Sequence, residues 1–298
     1  MIVGKKSISR RIFEVVNTLF MLTLMAACLM PVLHVLFASF SDASWVLAQR
    51  GIIWRIKGFN LLGYKLIFTN RDLLMGYFNT FIYVIASTVL GMLLTVMTAY
   101  AVSRKDALWS NVIMFFITFT MLFNGGMIAS YIINTKVLNL FDTRLAIILP
   151  TCLSAFNIIL VRTAMITVPA SLEESALLDG AGRFTILFKI ILPLIKATLA
   201  TVVLYIVIGQ WNSWFAASIY LRDRSKFPLQ LIIKQILVDN DITSAAQINA
   251  SDYAGNATLY KQLLKYCTIV ISTIPIFIFY PFIQKYFEKG VLIGAIKG

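Results

Sequence analysis

Histidine occurs once in the 298 residues, cysteine three times and acidic side chains only 13 times. His34 has no second imidazole with which to share a metal, so a hydrogen-bonded packing role is favoured over a proton relay. Cys28, Cys152 and Cys267 lie in or beside apolar runs without metal-ligand spacing, and read as small buried hydrophobes. That removes a disulfide framework, a thiol nucleophile and a metal centre together. No glycine-rich phosphate loop followed by Lys-Ser or Lys-Thr occurs, so the chain supplies no nucleotide site of that type. The apolar runs hold almost no ionisable side chains, which argues against a stand-alone channel or secondary carrier; the lack of an internal repeat points the same way. A membrane-embedded enzyme would need clustered His, Asp or Glu at membrane depth, and the chain offers no catalytic residue of that kind.

What is abundant is apolar. Hydrophobic residues make up 59% of the chain and charged ones 13%, with a mean hydropathy of +0.84, so a lipid bilayer is the expected solvent. The net charge of +13 is dispersed among the apolar runs rather than gathered into a stripe, which excludes nucleic acid as the expected partner. Lys5, Lys6, Arg10 and Arg11 precede the first run and predict that residues 1–11 are cytoplasmic. Met25-Ala26-Ala27-Cys28 resembles a lipoprotein cleavage signal, but the run continues past it, which favours an uncleaved span. The pattern predicts an all-α membrane domain over 12–298 with six transmembrane helices, near 12–40, 79–102, 109–133, 145–163, 197–220 and 266–283, and both termini cytoplasmic. Residues 41–76 and a long loop, 221–265, fall outside; a tail, 287–298, falls inside. Asn124-Gly125-Gly126 interrupts the third span. Asn157, Gln210 and Asn212 are candidates for a polar pathway, each equally suited to interhelical hydrogen bonding, and Trp211 and Trp214 suit an interfacial belt.

The polar stretch 168–195 separates two long apolar runs. Ser171 and Glu174 have capping-box spacing, which predicts a short helix from Leu172. Pro169 bounds it on one side; Gly180 and Gly182, free to take left-handed angles, bound it on the other. A second segment follows over 183–191. Leu172, Ser175, Ala176 and Asp179 share one face, where small side chains let another surface approach. Local physics alone leaves a solvated helix-turn-helix loop equally open.

The order Glu174, Ser175, Ala176, Gly180, Ile190, Leu192, Pro193 resembles the EAA loop of ABC-importer permeases, with Ser175 in place of the first alanine. The segments Ala99-Tyr100-Ala101-Val102-Ser103-Arg104, Asn124-Gly125-Gly126, Leu153-Ser154-Ala155-Phe156-Asn157, Trp211-Asn212-Ser213-Trp214-Phe215, Tyr280 to Phe287 and the terminal Gly290 to Gly298 resemble those of carbohydrate-importer permeases. They are most similar to the smaller permease of maltose importers, in the polysaccharide-utilisation group.

The resemblance implies a type I ABC-importer permease fold in the bacterial cytoplasmic (inner) membrane, with a cytoplasmic coupling helix docking on an ATPase subunit. It makes Glu174 the acidic anchor and Gly180 the pivot, within a coupling set of Glu173, Glu174, Ser175, Ala176, Asp179, Gly180 and Ala181. It implies as partners a second, non-identical permease, two ATPase subunits that bind ATP and Mg, and an extracellular solute-binding protein. No cofactor is implied for this chain itself. The implied substrate is an oligosaccharide, with an acidic, uronate-containing one suiting the cationic loops; a non-carbohydrate solute is the alternative. Relatives place much of the membrane sugar site in the partner permease.

Overall fold

A computed structural model describes residues 7–104, 106–237 and 263–281. Lys5 and Lys6, residues 238–262 of the expected outer loop and the tail 287–298 lie outside them. Helices joined by short irregular stretches make up the described residues, with no strand among them, and the chain divides into two compact units, residues 1–70 with 242–273 and residues 71–241 with 274–298.

In the first unit, α1 (Ile8–Ser39) has 32 residues, about 48 Å of helix against a hydrocarbon core of about 30 Å. It runs unbroken through Cys28. That thiol is exposed, unlike the buried Cys152 and Cys267, so the sequence expectation that it is a buried hydrophobe is corrected. A helix whose solvent is lipid turns its apolar side chains outward, and hydropathy cannot tell that surface from a core. The stretch 41–76, expected as a plain external segment, folds further. Asp42 caps α2 (Ala43–Ala48), accepting the backbone N–H groups of Ser44 at 2.9 Å and Trp45 at 3.3 Å; α3 (Leu62–Thr69) follows. Ile53 donates its N–H to Nδ1 of His34 at 2.9 Å, and the imidazole meets the Tyr266 ring at 5.7 Å. The single histidine is a packing residue. Gly63 admits the last helix, Leu263–Pro281, so closely that a Cβ there would stand 2.6 Å from the Cys267 sulfur.

The second unit is built on α4 (Arg71–Ser103), which starts eight residues before the span expected from 79. Ser87, Gly91, Thr95 and Ala99, spaced by four, are buried, while Phe81, Ile85, Val89 and Leu93, equally spaced, are exposed. Small and polar side chains face the bundle and large apolar ones face outward, the arrangement expected where lipid removes any hydrophobic drive between helices and close packing must hold them. A Cβ on Gly91 would lie 3.1 Å from the Cys152 carbonyl oxygen.

The third expected span is broken. α5 (Ser110–Leu122) and α6 (Gly126–Ile132) are separate helices, and the two arms turn by 115°. Asn124 Oδ1 accepts the Gly126 N–H at 2.9 Å, and Gly126 has φ +80°, an angle glycine alone adopts without cost, so the helix cannot continue. The fourth span bends by 41° between α7 (Leu145–Cys152) and α8 (Ala155–Ile166). Next come α9 (Ala170–Leu178), then α10 (Arg183–Ile186), a π turn and α11 (Leu192–Leu194), an arm that meets α12 (Lys196–Trp211) at 85°. The fifth span, expected to reach 220, stops at Trp211: Ser213 leaves helical angles and α13 (Trp214–Tyr220) begins afresh. The part of the expected outer loop that is described contains α14 (Leu229–Leu237), whose Leu229 and Ile232 pack over Gly76 of α4. Among the described residues three helices are long and apolar enough to cross a membrane, and three bent pairs raise the number of candidate crossings to as many as six.

One apolar cluster joins α4, α8, the arm and α12 through Val96, Ala99, Val161, Met165, Leu187, Ile191 and Val202. The stretch between α8 and α12 is therefore seated on the bundle rather than free in solvent.

Candidate functional site

Within that stretch, α9 opens on Pro169, whose φ of −57° and ψ of 130° end the preceding chain in extended form, and Leu172 already donates to the Pro169 carbonyl at 3.2 Å. The helix thus begins at Ala170, two residues before the position the capping-box spacing predicts, and no side chain caps it. The expected box is corrected: the early start carries Ser171 and Glu174 into the helix body, away from the free N–H groups a box would satisfy. The other end closes as expected at Gly180 but not at Gly182. Gly180 has φ +78°, its N–H reaches the Leu177 carbonyl at 3.0 Å, and Ala181 N–H reaches the Ala176 carbonyl at 2.9 Å. These two bonds with a left-handed residue form a Schellman cap. Gly182 is extended, with φ −71°.

The structure divides the seven sequence-predicted coupling residues between two directions. Ala176 and Ala181 are half-buried against the apolar cluster. Glu173 forms an ion pair with Arg104, just past the end of α4; their side chains retain only 16% and 13% exposure. The Arg104 guanidinium also lies over the Tyr100 ring at 4.7 Å. Glu174, Ser175, Asp179 and Gly180 are exposed. Of the two adjacent acids, Glu173 is committed inward and Glu174 faces out.

Sequence reasoning missed the residues that hold this loop. Besides Arg104, they are Arg183, which donates to Asp106 at 2.7 Å and through its carbonyl accepts the Tyr100 hydroxyl at 3.3 Å, and Arg162, whose Nε meets the Val102 carbonyl at the end of α4 at 2.9 Å. Arginine there suits the negative end of the helix dipole. The bond from Arg183 holds the Asp106 carboxyl below its usual range. Also missed is Leu178, 89% exposed at the tip of α9; its signal was an apolar residue directly before Asp-Gly. A groove of about 330 Å³ between the α4 end and α9 is lined by Arg104, Asp106, Glu173, Glu174 and Arg183.

Of the three pathway candidates, the structure brings Asn157 and Gln210 to one cavity of about 600 Å³ among α7, α8 and α12. Asn212 is elsewhere: it is exposed and its amide donates to the Ile208 carbonyl at 3.0 Å.

Comparison with known proteins assigns this architecture. The chain is 37% identical over 97% of its length, and 99% of the relative's, to the polygalacturonan/rhamnogalacturonan transport system permease protein YtcP of Bacillus subtilis (strain 168). It is 35% identical to protein LplC of the same organism, over 97% of this chain and 96% of that one. A crystal structure of a bacterial ABC transporter involved in the import of the acidic polysaccharide alginate contains a chain that superposes with a TM-score of 0.87 at 33% identity, covering 96% of this chain and 100% of that one. Residues 72–248, which hold α4 from Asp72, the stretch 168–195 and the cavity, match the family model for the binding-protein-dependent transport system inner membrane component. The chain belongs to that family, and is a transport permease of the type I importer fold.

Proposed function

We propose that this chain is the transmembrane subunit of an ATP-driven importer of acidic oligosaccharides, and that α9 is its coupling helix. The observation that carries the coupling role is the division of α9. One side is tied to the bundle by Glu173, Ala176 and Ala181, while Glu174, Asp179 and the apolar knob Leu178 project unburied. An exposed leucine beside two free carboxylates fits an apolar cleft with a basic rim on an ATPase subunit. Residues 168–195 then form the cytoplasmic coupling loop, 221–265 the external loop, and 1–11 and 287–298 the cytoplasmic termini. The substrate class is supported by the two relatives named for a galacturonan and for alginate, each a carboxylate-bearing sugar polymer.

The remaining parts of the machine are a second, non-identical permease, two ATPase subunits carrying ATP and Mg, and an extracellular binding protein. ATP-driven closure of the ATPases moves α9, and the seated arm passes that movement to α4, α8 and α12. The test is ATP hydrolysis by the reconstituted complex with its binding protein empty, loaded with neutral oligosaccharides, or loaded with uronate oligosaccharides. Stimulation by the uronates is expected. Stimulation by the neutral class alone, or by neither while basal hydrolysis persists, overturns the substrate reading.

A further inference from the structure

Three arginines gather about the end of α4, and acids answer only two of them. Arg104 pairs with Glu173 and Arg183 with Asp106, while among the described residues Arg162 has the Val102 carbonyl, reached by its Nε, and no carboxylate. Arg162 is half-buried, and a partly desolvated guanidinium without a counter-charge is unfavourable unless an anion arrives. Its side chain lines a cavity of about 460 Å³ where α4 ends, α5 begins and α8 ends, and no acid is among the lining residues. Ser110 donates its hydroxyl to the same Val102 carbonyl at 2.8 Å. One backbone oxygen therefore holds two side chains of the lining in place.

The rest of the lining is apolar and turned outward. Trp109 has φ +65°, a left-handed angle that a bulky side chain adopts only at a cost, and its ring is 72% exposed. Packing within the chain does not repay that conformation. Val112 and Ile166 line the same cavity and are also exposed. From Val112 an exposed stripe continues along α5 through Phe116 and Phe119, at helical spacing, and α5 has no buried residue.

We propose that this cavity binds the phosphodiester headgroup of an anionic phospholipid, with Arg162 as its charge partner and the α5 stripe as the bed of an acyl chain. The terminal nitrogens of Arg162 and the exposed amide of Asn111, which also lines the cavity, supply the donors that phosphate oxygens accept. Tryptophan beside them suits the boundary between headgroup and hydrocarbon, and the cavity lies where three candidate membrane-crossing segments meet. A small soluble anion would satisfy the guanidinium but leave Trp109 and the stripe without a role. The site rests on neither the coupling nor the substrate reading.

The test is native mass spectrometry of the complete complex, stripped of lipid in detergent and titrated with phosphatidylglycerol or with phosphatidylcholine of the same chains. Preferential binding of phosphatidylglycerol is expected. Arg162→Gln, whose amide can still donate to the Val102 carbonyl, should weaken that binding about tenfold through loss of a charge-assisted bond. Trp109→Gly, at an exposed position whose left-handed angle glycine takes freely, should weaken it about fivefold. Unchanged binding in either variant overturns the site. Lys189→Gln removes the same charge from an exposed position outside the cavity and should leave binding nearly as it was; a loss equal to that of Arg162→Gln would mean diffuse surface attraction and no site. Melting of the complex with inorganic phosphate or galacturonate alone separates the remaining case. A rise in melting temperature with either anion that Arg162→Gln abolishes would make this a soluble-anion site and overturn the lipid assignment.

Discussion

The two ends of α4 are held by different balances of ionic and backbone-directed bonds. At the Arg71 end most of the fastening is directed at backbone, beside one ion pair, Arg224 with Asp72 at 2.8 Å. Asn79, fully buried, donates to the carbonyls of Ser225 at 2.7 Å and Phe227 at 3.1 Å and accepts from Arg144 at 3.0 Å. Tyr83 donates to the Lys226 carbonyl at 2.7 Å, and Thr80 accepts the Leu229 N–H at 2.9 Å. At the Ser103 end two ion pairs, Arg104 with Glu173 and Arg183 with Asp106, stand beside the bonds from Arg162 and Ser110 to the Val102 carbonyl. Backbone-directed bonds fix register and offer no alternative partner, whereas an ion pair can be exchanged for another when a charged surface arrives. The first end, where bonds to backbone predominate, reads as an anchor, and the second, with two ion pairs against one, as the more exchangeable joint; on the proposed coupling role it is the second that receives movement.

Asn79→Leu breaks the anchor and carries the largest expected effect. It strands two carbonyls and a guanidinium donor, so the protein should lose on the order of 3 kcal/mol, read as a lowered melting temperature in detergent. Glu173→Gln weakens the joint and should cost about 1 kcal/mol, because the amide still accepts one bond from Arg104 while the charge is lost. A double-mutant cycle with Arg104→Gln should show coupling between the two positions; additivity would mean the pair does not hold α9. Gly180→Leu forces a left-handed residue to carry a side chain, at about 1 kcal/mol of strain. Nothing lies within 4 Å of its Cβ position inside the chain, so the larger consequence falls on docking: sugar uptake should drop while ATP hydrolysis continues. Normal uptake in that variant would remove the coupling role.

The smallest effect concerns pH. Arg183 depresses the Asp106 carboxyl, and the backbone N–H groups of Asp223 and Arg222 depress that of Asp142. A depressed carboxylate contributes stability that is complete above its ordinary value of 3.8 and is lost as pH falls through the lower folded value. Acid titration of Asp106→Asn and Asp142→Asn should each flatten the fall in stability below that value. The Asp106 variant should lose more salt sensitivity, since its pair with Arg183 is more exposed to ions than the pair of Asp142 with Lys226.

Apolar runs locate the crossings well, because composition over some twenty residues decides where a chain can enter a bilayer. The breaks inside them depend on single turns. Asn124-Gly125-Gly126 was legible as an interruption, but its 115° bend was not. The capping-box spacing at Ser171 misled because a proline two places earlier started the helix first. Gly180 was readable because a left-handed cap leaves a local signature. The resemblance set Glu174 apart as the acidic anchor, but the inward pairing of Glu173 was not legible, since its partner Arg104 lies 69 residues away. Grouping Asn157 with Gln210, and excluding Asn212, likewise required knowing how α8 and α12 pack. Polarity at membrane depth marks a residue as constrained without saying toward what.

The Schellman cap on α9 has a kinetic consequence. With its last carbonyls already bonded by Gly180 and Ala181, the helix is finished before any partner arrives, and docking on it carries no ordering entropy. A segment that folded on contact would absorb a push as partial unwinding. On the proposed coupling role this one serves as a stiff strut, which would deliver a displacement imposed at Leu178 to the helices behind it.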